Sequence, residues 1–268
     1  MADWKNILVE RDGSLGKIIL NRAEARNPLD NETAREMLGG LEQHFDDPEV
    51  RSIVITGAGD AFCAGGDLKQ MGRFSEMSAA DAYAWPTAIV DAHKAMLSAD
   101  KPVIAAVNGP AFAGGMGLAG MCDVIVAVKD AQFAMPEVKV GLFPMIIVAQ
   151  LSRSIPRKYL LEMMMTGDPI DAVEAHRLGF VNRLADDHAD LDAIVADYAQ
   201  RFEKTSPTAV ALGRRAFTLL SDMPAAQAID AAQFLNLPFF LGDDLKEGAN
   251  AFLEKRKPAW KPFSRKKK

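Results

Sequence analysis

Short apolar runs rich in β-branched residues, alternating with helical or glycine-rich stretches, fill the first two thirds of this chain and decide what it can fold into. Residues 6–10 and 17–21 flank Asp12-Gly13, a turn signal, and predict a hairpin. Residues 31–45 carry apolar side chains at helical spacing until Asp46-Asp47-Pro48 stops them. Residues 51–56 read as a buried strand, β-branched at Ile53, Val54, Ile55 and Thr56. Residues 78–98 read as one helix, with Ser78 as its N-cap, Asp81 three residues on and a kink at Pro86. Residues 103–107 and 124–128 are again short strands. Strands that alternate with helices in this way make an α/β layered fold.

From Pro144 onward the helical pattern dominates, with one short strand predicted at 181–184. Residues 189–204, 207–221, 225–240 and 243–255 read as successive helices, broken at Thr205-Ser206-Pro207, Met223-Pro224 and Leu241-Gly242-Asp243. A boundary near Thr205 divides a core of residues 1–204 from a helical unit of residues 205–268. The broad apolar face of that unit calls for packing on the core, on a partner subunit, or on both. A chain of 268 residues buries enough surface to need neither disulfide nor metal staple. Its net charge of −5 argues against nucleic acid as a partner. Two cysteines, Cys63 and Cys122, make no disulfide framework, and a reducing, cytoplasmic compartment is expected. Residues 1–5 form no apolar signal core and no window reaches eighteen apolar residues, so neither secretion nor membrane spanning is expected.

Two loops carry more glycine and alanine than turning the chain requires. Residues 56–68 include Cys63-Ala64-Gly65-Gly66-Asp67, and residues 108–118 include Ala113-Gly114-Gly115-Met116-Gly117. Each follows a buried strand and leads towards a helix. Small residues there leave backbone N–H groups open to a ligand, and a helix N-terminus adds positive potential. One such loop is most simply a tight turn; a pair can aim two donors at one oxygen. Residues 115–120 also match G-x-G-x-x-G, but seven residues separate Val107 from Gly115 and no room remains for a crossover helix before Asp123. A nicotinamide site is therefore rejected.

Glu137 is a lone carboxylate after a proline in a largely apolar run. Partly removed from water, such a group has a raised pKa suited to proton transfer near neutrality. Spacing alone equally allows an exposed glutamate paired with Lys139, and favours it. His44, His93, His176 and His188 are scattered, with no metal-ligand spacing. Asp123 reads as a strand-end cap or anchor ahead of a base, and Met163-Met164-Met165 as core filling.

Together these residues resemble the crotonase superfamily, the enoyl-CoA hydratase/isomerase family. The resemblance runs from Asn21-Arg22 and Asn27 through Phe62-Cys63-Ala64-Gly65-Gly66-Asp67-Leu68 and residues 101–109. It continues through Gly114-Gly115, Met121-Cys122-Asp123, Pro136-Glu137 and Gly141 to residues 251–257. It implies a spiral of ββα units with a helical C-terminal trimerisation domain, assembled as a homotrimer or a dimer of trimers. It also implies a coenzyme A thioester as substrate, with no further cofactor and no metal. In that pattern Ala64 and Gly114 supply the two N–H groups that hold the thioester oxygen, and Glu137 is catalytic. Residues Ala64, Gly65, Gly66 and Asp67 line the substrate, Ala25 and Arg26 lie near the CoA nucleotide, and Phe252 and Lys255 reach a neighbouring subunit's nucleotide.

The departures matter as much. Classical hydratases of the family carry two glutamates; the second matches Glu137, and the first falls at Gly117. The usual Pro-Gly-Ala-Gly-Gly is replaced by Pro144-Met145-Ile146-Ile147-Val148. Gly117, Phe143 and Met145 are assigned to the acyl pocket, with Gly117 expected to leave room for a bulky chain. A lone glutamate suits double-bond migration between C3 and C2, which needs one group to collect and return a proton. Water addition by Glu137 alone is the alternative, and a non-catalytic acyl-CoA-binding protein a further one.

Overall fold

The structure, a computed structural model, describes residues 4–66 and 76–263. Asp67 and the basic tail 265–268 lie outside the described residues. Strands β1 (Ile7–Asp12) and β2 (Leu15–Leu20) form the expected hairpin, turning at Gly13 where φ is +59°. From β2 the chain crosses through helix α1 (Asn31–Asp46), whose first turn is capped by the Asp30 carboxylate accepting from the Thr33 N–H at 2.8 Å. It returns as β3 (Ser52–Gly57), parallel to β2.

The helix expected over 78–98 is two, α2 (Ala79–Ala84) and α3 (Thr87–Leu97). Pro86 is the N-cap of α3; lacking an N–H, it ends one helix and starts another instead of kinking a continuous one. Strand β4 (Val103–Val107) follows, then the two-residue β5 (Ala111–Phe112) and helix α4 (Gly114–Gly120). Next come β6 (Val124–Val128), β7 (Gln132–Ala134) and a 3₁₀ turn, Pro136–Val140. Helices α5 (Met145–Leu151) and α6 (Arg157–Thr166), strand β8 (Ile170–Asp171), helix α7 (Ala172–Arg177) and strand β9 (Arg183–Ala185) complete the core.

The main sheet runs β1-β2-β3-β4-β6-β9, parallel from β2 onward. Strand β4 is buried along its whole length, as a parallel strand covered on both faces must be. A second sheet, β5-β7-β8, is built from strands of two or three residues. Such pieces carry no readable alternation, and the sequence did not predict them. Met163 and Met164 fill the core as expected, whereas Met165 is exposed.

Among the described residues five helices follow β9: α8 (His188–Glu203) lies against β6 and β9, then come α9 (Pro207–Ser221), α10 (Ala225–Leu235), a short α11 (Leu237–Phe240) and α12 (Asp243–Leu253). The short α11 is separate from α10, a break the expected 225–240 helix lacked; Pro238 cannot donate back into α10. Among the described residues of α9 to α12 only Ala211 and Ala251 are fully buried, while Phe217, Ile229, Phe240 and Phe252 stand exposed. What fastens α9 to the core is Arg214. Its Nε donates to both Asp123 oxygens at 2.7 and 2.8 Å, Nη1 to the Ala99 carbonyl at 2.9 Å, and Nη2 to that of Met96 at 2.7 Å. Asp123 also accepts from the Val103 N–H at 2.8 Å, the strand-end anchor expected of it.

Candidate active site

Three parallel backbone segments end side by side. Cys63 pairs with Ala111, and Ala111 with Phe133. Three residues past Cys63 lies Gly66, three past Ala111 lies Gly114, and four past Phe133 lies Glu137. The three paired segments thus lead into the stretches that carry Gly66, Gly114 and Glu137. Gly65 and Gly114 touch: a Cβ on Gly114 would lie 3.9 Å from Gly65 Cα, and one on Gly65 only 3.3 Å from Gly114 N.

The loops are held by two asparagines whose structural role the sequence reading missed. Asn27 Oδ1 accepts from Arg22 N–H at 2.9 Å, and its Nδ2 donates to Ala58 O at 2.9 Å and Ala61 O at 2.8 Å. Asn108 Nδ2 donates to Gly57 O and Gly59 O, both at 2.9 Å. An asparagine beside a glycine-rich stretch is the signal that finds them, since its amide can satisfy two stranded backbone groups. Asn27 also sits at φ 54°, which asparagine tolerates better than most residues.

Ala64 is not a free donor. Its N–H bonds to Arg26 O at 2.9 Å, while Gly65 O accepts from Leu29 N–H at 2.8 Å. These bonds zip residues 26–29 to the first loop and spend the donor assigned to Ala64. Two residues on, the Gly66 N–H has no partner among the described residues. Gly114 opens α4, where the N–H has no intrahelical acceptor, and it too is unspent among the described residues.

Ala113, just before Gly114, holds φ 51° and ψ −122°, a conformation glycine adopts freely and alanine does not. Its N–H is fixed to Ala134 O at 2.8 Å, and this bond and the β5–β7 pairing keep it there. Ala113→Gly is expected to stabilise the fold by about 1 kcal/mol, the relieved strain less the added freedom of the unfolded chain. Thermal unfolding should rise by about 2–4 °C; an unchanged or lower midpoint removes the strain assignment.

Glu137 stands in the 3₁₀ turn, half-buried. Its Oε2 is shut off from solvent with no hydrogen-bond partner among the described residues, and burial raises its pKa above the ordinary carboxylate value, against a smaller opposing effect of its own N–H. Lys139 does not pair with it; that ammonium meets Asp168 at 2.8 Å. The exposed, salt-bridged alternative therefore fails. After the Gly141 turn (φ +81°), Leu142, Phe143, Met145 and Ile146 form an exposed apolar rim, Met145 being 67% exposed.

Gly117 does not leave room for a chain. It is buried, and a Cβ built on it would lie 2.1 Å from Ile147 Cγ2 and 2.7 Å from Ile147 Cβ. The space is filled by α5, so the expected opening is absent. Ala25 and Arg26 are exposed beside the first loop, and Phe252 and Lys255 are exposed at the end of α12.

Other reactive groups are spent elsewhere. Burial pushes the Cys63 thiol up to about 12 and the His93 imidazole down to about 4. His176 and His188 meet the carbonyls of Val181 and Asn108. Among the described residues no three His, Cys, Asp or Glu side chains gather as a metal site, and no helix is long and apolar enough to cross a membrane.

The parallel sheet from β2 onward, the glycine-rich loops that meet at Gly65 and Gly114, and the half-buried Glu137 belong to a crotonase-fold enzyme. Residues 10–263 match the family model described as Enoyl-CoA hydratase/isomerase, and the chain belongs to that family. It is 38% identical to the carnitinyl-CoA dehydratase of Escherichia coli K12 over 263 residues, spanning 96% of this chain and 98% of that one. A crystal structure of an enoyl-CoA hydratase from Mycobacterium smegmatis superposes with a TM-score of 0.89 at 33% identity, covering 96% of this chain and 99% of that chain. One from Polaromonas sp. JS666 gives 0.89 at 30% identity, with 95% and 99% covered.

Proposed function

We propose that this enzyme moves a double bond between C3 and C2 of an enoyl-CoA, with Glu137 as its one acid–base group. The Glu137 carboxylate takes a proton from C2 of a 3-enoyl thioester, the electrons pass to the thioester oxygen, and the same proton returns at C4. The N–H groups of Gly66 and Gly114 hold the developing oxyanion; each well-aimed donor is worth roughly 3–4 kcal/mol in barrier height. The observation that carries this reading is the pairing of a desolvated Glu137 oxygen, unpartnered among the described residues, with a Gly117 walled by Ile147 hydrocarbon. One carboxylate can collect and return a proton; water addition ordinarily shares acid and base between two.

The CoA nucleotide lies along Ala25, Arg26 and Ala64, the strip zipped by the Arg26–Ala64 bond. The exposed apolar side chains of α9 to α12 suit assembly as a homotrimer or a dimer of trimers, in which Phe252 and Lys255 meet a neighbour's nucleotide. Hydration by Glu137 alone is the second reading, favoured by relatives called hydratase and dehydratase. Absorbance of the conjugated enoyl thioester separates the two. A rise with trans-3-hexenoyl-CoA and no change with crotonyl-CoA is expected. A fall with crotonyl-CoA establishes hydration instead, and silence with both leaves a binding protein.

A further inference from the structure

Helix α5 docks on a glycine face of α4. Gly117 and Gly120 lie one turn apart on α4, and each faces one side chain of α5: a Cβ on Gly117 would meet Ile147, and one on Gly120 would meet Leu151 Cδ2 at 2.5 Å. Ile147 and Leu151 are themselves one turn apart and buried. Two ridges on α5 thus seat in two hollows on α4. Position 117 shares a helix face with Gly114, whose N–H is the proposed oxyanion donor, so a side chain there would reach the reacting edge.

We propose that Ile147 is the specificity-determining residue that restricts this site to one-carboxylate chemistry, an inference that rests on the isomerisation reading above. Its Cβ and Cγ2 occupy the volume that the first atom of any side chain at 117 would need. A second acid cannot be seated there without moving α5. A water molecule on that side meets methyl groups instead of the two to four polar partners it needs to be held. The residue acts by exclusion and transfers no proton itself.

Wild type is compared with Gly117→Glu, with Gly117→Glu combined with Ile147→Gly, and with Ile147→Ala. Thermal unfolding is followed, and activity is measured on trans-3-hexenoyl-CoA and on crotonyl-CoA. Gly117→Glu alone is expected to unfold well below wild type, because a carbon at 117 and Ile147 overlap. The double variant is expected to recover most of that loss and to hydrate crotonyl-CoA about 10²-fold faster than wild type. Ile147→Ala adds no buried charge and removes Cγ2, the nearer of the two blocking atoms, while Gly117 itself stays without a side chain. Its hydration of crotonyl-CoA is expected to rise about tenfold with added formate, a small acid replacing the missing side chain, while wild type does not respond.

The proposal is overturned if Gly117→Glu alone is as stable and hydrates as fast as the double variant. It is also overturned if the folded double variant and formate-treated Ile147→Ala both hydrate no faster than wild type. Should the double variant fail to fold, the formate response alone decides. A wild type that hydrates crotonyl-CoA, or does not isomerise trans-3-hexenoyl-CoA, overturns the isomerisation reading itself. That failure is read on wild type alone, before any variant is made.

Discussion

Glu137→Gln is expected to lower turnover of an enoyl-CoA by about 10³-fold, the loss typical of removing a positioned acid–base group, while CoA esters still bind. Glutamine keeps the shape and the carbonyl oxygen but cannot carry the proton. The pH profile ties the loss to this residue. Glu137 must be ionised to take a carbon-bound proton, and burial raises its pKa above the ordinary 4.5. Wild-type kcat/KM is therefore expected to fall on the acid side of that raised pKa. The same burial predicts that the variant gains stability. Between 4.5 and the folded pKa the native chain holds a proton the unfolded chain has released, so wild-type stability falls as pH rises through that window. Above it the full cost of the buried charge is present, and the glutamine variant escapes it. An inactive variant with a raised unfolding midpoint at neutral pH is the expected pair of results. A variant with near wild-type turnover removes Glu137 from the chemistry.

Gly65→Ala is expected to damage stability and catalysis together. The Cβ would lie 2.6 Å from Ala113 Cβ and 2.8 Å from Phe112 O, on a residue already at φ +89°. Neither contact can be relieved by a rotating side chain, so the two loops must separate or Gly65 must leave its conformation. Either way the Gly66 and Gly114 N–H groups lose the common aim proposed for them. A loss of about 10²–10³-fold in kcat follows if one donor is misaimed, with about 2–3 kcal/mol of stability from strain and overpacking. The measurement is kcat beside a denaturant midpoint. Full turnover in a destabilised variant would show that these loops do not hold the oxyanion.

The main sheet was readable because β3, β4 and β6 are continuous β-branched or apolar runs, and such runs have few alternatives in a chain of this length. The cap at Ser78 was equally plain, its hydroxyl accepting from the Asp81 N–H; the break at Thr205-Ser206-Pro207 was read, but not that Ser206 caps the helix that follows. The second sheet was invisible, since two residues have no periodicity and β5, β7 and β8 exist through tertiary pairing alone. That gap explains the misassigned donor. Composition marked Cys63-Ala64-Gly65-Gly66 as a donor loop, but which N–H is free depends on Arg26 O, which is distant in sequence and adjacent in space. Gly117 misled for a similar reason. A missing side chain looks like space in a sequence, and only the packing of α5 reveals that Ile147 has taken it.

Cys63 lies at the root of the first loop, fully buried, paired with Ala111 and with its carbonyl pressed towards Gly115. A thiol so placed is expected to react with an alkylating reagent when the two loops part, because in the closed state it is fully buried and burial raises its pKa. The rate at which it is labelled is then a clock for loop opening, written into the native sequence with no probe added. If a CoA ester bridges the loops as proposed, it is expected to slow that clock.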